Sequence, residues 1–247
     1  MKTTDFKQPI NPTAMETKKE LYDRWVKEVC SFLEEVGPKL NRCCSAMQSR
    51  PVLDKSPEVV FLGHHPHEDF GWIPEKGADR ERFDEGNPYF YADNGKERMK
   101  WPVWAKLYGA MEWANCTRPM EDGNFVFMNA VYFGTAGVAA LKSMQGSKNA
   151  IDKCLDFTER AIQTIFQPKV VICFSIVEVF DPLNAKFKFR EVETLNPLNG
   201  QHICTKTVKC GWWGNCKVIG IPHPSQAISY DDLGAIALFI KQELEKK

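Results

Sequence analysis

The chain has 247 residues, in which 32 Lys and Arg balance 32 Asp and Glu to a formal charge of zero. With 43% hydrophobic and 26% charged residues it carries enough apolar side chains for a packed core, which excludes global disorder. No apolar run nears the roughly 20 residues that cross a bilayer, and a neutral chain gives no bulk electrostatic argument for nucleic acid.

The N-terminus reads as a polar arm over residues 1–16, without the apolar segment of a secretory signal, and one domain is expected over 17–247. Nine cysteines, an odd number, fit a reducing cytoplasm better than a disulfide framework. From Leu21 the positions Leu21, Trp25, Val29, Phe32 and Val36 mark one face of a helix, which Gly37-Pro38 is expected to end. Four short apolar runs follow, at 59–62, 125–128, 170–173 and 218–221. They are β-branched or aromatic and continuous rather than alternating, as strands buried on both faces are. Helical stripes separate them: Trp101, Trp104, Tyr108 and Met111; then Ile151, Leu155, Ile162 and Ile165 behind Ser147 as N-cap. Leu233, Ile236, Ile240 and Leu244 come last, behind Asp231 and Asp232. The alternation predicts a three-layer α/β/α sandwich around a central four-stranded parallel sheet. Two insertions interrupt it. Residues 64–100 have no period, and residues 186–210 carry two alternating segments around Asn199-Gly200, read as a small hairpin excursion. Trp101, Trp104 and Trp113 read as core, and Trp212-Trp213 as a turn offering a stacking surface.

Ligands of such sheets bind beyond the carboxyl ends of the strands. Those ends carry Gly63-His64-His65-Pro66-His67-Glu68-Asp69, Asn129-Ala130-Val131, Ser175 and Pro222-His223-Pro224-Ser225, so four of the five histidines fall at two of them. The motifs Gly63-His64-His65-Pro66, a middle strand ending in Asn129, and His223-Pro224-Ser225 resemble the uracil-DNA glycosylase superfamily in order, separation and strand context, over roughly residues 57–245. The resemblance implies a hydrolase that flips a nucleotide out of DNA and cleaves its N-glycosidic bond. Asn129, with His64 beside it, would read the base, and His223 would donate to a base carbonyl as charge develops. Pro66, Pro224 and Ser225 would shape loops on the DNA backbone. An aromatic from Trp72, Phe83, Tyr89 and Phe90, with Tyr89 and Phe90 foremost, would stack on the base.

Two departures stand out. His65 occupies the position where the best-known members carry a water-activating Asp, so His65, helped by Glu68 or Asp69, would handle water. Gln226-Ala227-Ile228 replaces the run that carries a large apolar wedge, and Ala227 is too small to fill the gap of a flipped base. Two alternatives stay open: a nucleobase or nucleic-acid binder without excision, and a metal-dependent hydrolase in which His65 and His67 join His223 or Asp69 around zinc. The cysteine spacing matches no cluster motif, and no cofactor is expected. The expected partner is DNA, bound by a cytoplasmic monomer. Zero charge does not oppose this, because residues 182–217 hold six Lys and Arg against two Glu, a local excess that suits phosphates.

Overall fold

The computed structural model describes residues 16–68, 70–91 and 96–246. Chain order begins with α1 (Lys18–Leu40), then β1 (Val59–Gly63), α2 (Glu81–Glu85), α3 (Pro88–Tyr91), a 3₁₀ turn (Glu97–Lys100), α4 (Pro102–Trp113), α5 (Arg118–Glu121) and β2 (Phe125–Asn129). It continues through α6 (Val138–Ser143), α7 (Ser147–Arg160) and its π-helical extension (Ala161–Phe166), β3 (Val170–Phe174), a π turn (Ile176–Phe180) and α8 (Asp181–Phe187). The last part holds β4 (Arg190–Leu195), β5 (Leu198–Asn199), β6 (His202–Ile203), β7 (Val208–Trp213), β8 (Cys216–Ile221) and α9 (Tyr230–Glu245).

The predicted strands form the parallel centre of the sheet, in the order β2-β1-β3-β8, but the sheet has six strands. β7 and β4 extend it antiparallel, because the short turn at Gly214-Asn215 returns β7 directly onto β8. The expected excursion is therefore an edge of the main sheet, and only β5 and β6, around Asn199-Gly200, form a separate ladder. Lys186 and Phe187 belong to α8 rather than to a strand. Trp212-Trp213 ends β7, with Trp213 buried and stacked on Phe187.

Strands in the parallel centre are buried throughout because both faces are covered, and alternation sends their side chains to different layers. Val60, Leu62, Val126, Met128, Val171 and Val218 pack towards α1 and α7. Val59, Phe61, Phe125, Phe127, Ile172 and Ile219 pack towards α4 and α9.

Helix ends differ from the sequence reading in three places. α1 runs to Leu40 with Pro38 in its last turn, where few hydrogen bonds are lost, and Asn41 in the left-handed region closes it. The ring of Trp72 lies against the α-carbon of Gly37, where a β-carbon would come within 2.3 Å of it, so that glycine serves packing. Ser147 is the first helical residue of α7, behind Gly146. Ser229 caps α9, and Asp231 and Asp232 complement the helix dipole in its first turn. Of the expected arm only Glu16 is described, paired with Arg24. Among the described residues, no helix is long and apolar enough to cross a membrane.

Candidate functional site

The strand order reverses between β1 and β3: the chain steps from β1 to β2 on one side, then returns to place β3 on the other. Such a switch point opens a crevice beyond the carboxyl ends of the two strands. Here those ends are His64-His65-Pro66 and Ser175, with Asn129 on the next strand outward from β1 and His223 just after the strand beside β3. The three motifs are thereby brought to one end of the sheet. His64 and His65 both lie within electrostatic reach of His223, and the rings of His65 and His67 stand 6.1 Å apart.

Proton positions on these imidazoles follow from their partners. His65 Nε2 lies 3.2 Å from the Thr135 carbonyl, which can only accept, so Nε2 carries the hydrogen. Neutral His65 then has a lone pair on Nδ1, 2.8 Å from His64 Nδ1, which must donate. This leaves His64 Nε2 as an acceptor. It has no partner among the described residues and is not fully buried. Burial, and next to it the charges of His65, Lys142 and His223, lower the His64 pKa from 6.5 to about 3. Burial likewise lowers that of His65, against the Thr135 carbonyl and Glu178, which favour its charged form. The residue expected to activate water therefore has both nitrogens engaged, and the free acceptor is its neighbour.

The late motif resolves the same way. The Ser225 backbone N–H donates to His223 Nδ1 (3.2 Å) and the Ser225 hydroxyl lies 2.6 Å from the same atom. Nδ1 is an acceptor, so neutral His223 carries its hydrogen on Nε2. Burial, with His67 as a lesser influence, lowers its pKa and keeps it neutral. Ser225 is exposed, while Pro224 and Pro66 are buried and act on loop shape alone.

Asn129 is buried at the end of β2 and donates from Nδ2 to the Ser45 carbonyl at 3.1 Å. Its Oδ1 has no partner among the described residues, is not fully buried, and lies over Gly63, where a β-carbon would come within 2.9 Å of it. Only glycine at 63 lets the carboxamide span from β2 to β1.

Other expected residues lie elsewhere. Glu68 gives its carboxylate to Arg82 (2.9 and 3.0 Å), which Asp79 also holds. Asp69 lies outside the described residues. Phe90 is fully buried among Trp101, Trp104, Phe125 and Phe127, so it is core and presents no face for stacking. Phe83 is buried and Trp72 packs on α1, whereas Tyr89 is 64% exposed. Among the described residues no group of three His, Cys, Asp or Glu side chains is placed to hold a metal ion. The basic excess over 182–217 is partly neutralised across the fold, Lys186 by Asp152 and Asp156 and Lys209 by Asp181.

Two features of this crevice lie outside the sequence reading, and a third is the conformation of Ser175, which that reading names only as a strand end. Glu178, on the turn after β3, lies close enough to His65 to favour its charged form and pairs with Lys142 at 2.6 Å. The Thr135 carbonyl fixes a tautomer from 70 residues away in the chain. Ser175 adopts φ 116°, ψ 124°, a conformation that strongly favours glycine, while its hydroxyl caps Glu178 N. The position of Glu178, four residues beyond the end of β3, was the one available signal.

No protein-family model matches this chain, and no curated protein matches it.

Proposed function

We propose that the chain hydrolyses the N-glycosidic bond of a nucleotide flipped out of DNA, in the manner of the uracil-DNA glycosylases it resembles. The observation that carries this reading is a set of opposed hydrogen-bonding groups at one switch-point crevice. His223 Nε2–H is a donor, whereas Asn129 Oδ1 and His64 Nε2 are acceptors. A pyrimidine edge, with carbonyl acceptors and an N–H donor, is complementary to His223 and Asn129.

In the reaction, water attacks C1′ as the C1′–N bond breaks and its electron pair leaves with the base. The His223 donor stabilises the developing negative charge, and it is set for this before the substrate arrives because Ser225 holds the tautomer. His64 Nε2 takes the proton of the attacking water and passes its own Nδ1 proton to His65. The Thr135 carbonyl and Glu178 stabilise charge on that second ring. The proton returns to the departing base, which balances the step.

A second reading, base binding without excision, is favoured by one observation: the carboxylates of Glu68 and Glu178 are both in ion pairs, which weakens any support for a cationic sugar. One experiment separates the two. Oligonucleotides containing uracil, hypoxanthine or hydroxymethyluracil, single-stranded and duplex, are incubated with the protein and scored for base release. Release that is lost in His223→Ala supports hydrolysis. Binding without release from any of them supports the second reading.

A further inference from the structure

A cleft of about 840 Å³ opens next along the chain from the histidine crevice, between the loop after α1, Glu68, residues 70–79 and α3. Glu68 lines it one residue beyond His67, so cleft and crevice are contiguous along the chain. Its aromatic side chains divide sharply from those of the neighbouring core. Phe83 and Phe90 are fully buried, yet Phe70 is 62% and Tyr89 64% exposed on the cleft wall. Trp101 completes the wall, held edge-on against Phe90 at 5.8 Å between centroids. Open aromatic faces in a concave site are platforms for another flat ring.

The charges decide which kind of ring. Arg82 is shared between Glu68 and Asp79, so this cluster offers no free positive charge for a phosphate. Lys76, also on the lining, has no carboxylate partner among the described residues. The interior therefore suits an uncharged heteroaromatic ring, and Lys76 suits one backbone phosphate beside it. We infer that the cleft stacks an unpaired nucleobase of the same strand, adjacent to the nucleotide that enters the crevice. The substrate is thus single-stranded DNA, because a duplex keeps the neighbouring bases paired. This rests on the function proposed above.

The test is fluorescence anisotropy with a labelled single-stranded oligothymidylate, free or annealed to its complement, against the full chain and its Phe70→Ala and Tyr89→Ala variants. Both side chains are exposed, so melting temperatures should stay at the wild-type value, which a parallel thermal melt checks. Single strand is expected to bind more tightly than duplex, and each variant to weaken single-strand binding roughly 5- to 150-fold, the value of one base–aromatic stack. Equal affinity for duplex, or variants within about twofold of wild type, overturns the proposal. So does thymidine competing as well, mole for mole, as the strand, which would make the cleft a nucleoside site. Binding distinguishes this inference from the reading it rests on. If both variants bind poorly while no base is ever released, the cleft stands and hydrolysis falls; if both release base at unchanged KM, the cleft falls and hydrolysis stands.

Discussion

The neutral state of His64 makes stability depend on pH in a way the tautomer chain fixes. A histidine whose folded pKa lies near 3, against 6.5 when unfolded, binds its proton more weakly in the native state. Its contribution is complete above the unfolded value and is lost as pH falls from there towards 3. At pH 5 the unfolded chain gains about 2.1 kcal/mol by taking that proton, and at pH 7 only about 0.2, so His64 alone should remove about 2 kcal/mol of stability over that interval. His64→Asn abolishes this titration. Its absolute stability falls, since His65 Nδ1 loses its donor, but its stability should drop between pH 7 and pH 5 by about 2 kcal/mol less than that of the wild type. His65 and His223 are also held low, and in both proteins they act in the same direction, so the comparison largely cancels them. Urea titrations read the difference. With a slope of about 2–3 kcal/mol per molar, the wild-type midpoint should shift by roughly 0.7–1 M more than that of the variant. Equal shifts in the two proteins would refute the assignment of His64 as the buried neutral acceptor.

Further tests probe separate parts of the argument. Gly63→Ala puts a β-carbon within 2.9 Å of Asn129 Oδ1; overpacking should cost about 1–3 kcal/mol in a thermal melt and remove base binding in a titration with substrate oligonucleotide. Ser175→Gly removes a hydroxyl cap, worth only a few tenths of a kcal/mol against glycine, but relieves a strained φ worth about 1–3 kcal/mol, so a higher melting temperature is expected. Phe90→Ala should destabilise the fold by about 3–5 kcal/mol in urea, as for a core ring; a value under 1 kcal/mol would mark it as surface. Ser225→Ala deletes one of two contacts to His223 Nδ1 and should slow base release roughly 2- to 10-fold at saturating substrate, with the fold unchanged by circular dichroism.

Much of this molecule was legible along the chain. The four continuous apolar runs fit strands covered on both faces, and their carboxyl ends carry the residues that meet at the crevice. The histidines of the first motif do gather at one strand end, but which ring nitrogen is engaged was not visible in the sequence. Which imidazole nitrogen is free depends on a carbonyl at Thr135 and a backbone N–H at Ser225, and backbone partners leave no mark on the identity of the residues that supply them. The aromatic choice illustrates the same limit. Tyr89 and Phe90 are adjacent in a short helix, and composition cannot say which faces the core; the buried cluster around Trp104 takes Phe90 and leaves Tyr89 outside. Glu68 looked available beside the histidines until Arg82, fourteen residues on, took its carboxylate.

By itself, then, the sequence determined the parallel core of the sheet, the helices that cover it and the sheet end to which the histidine and asparagine motifs come, because these follow from local periodicity and from the burial of apolar runs. Tertiary structure decided the rest: that β7 and β4 join the sheet, that the local basic excess is partly neutralised by Asp152, Asp156 and Asp181, and that His64 rather than His65 offers a free nitrogen. Each of these depends on partners far away in the chain, and zero net charge fixes nothing about where opposite charges meet.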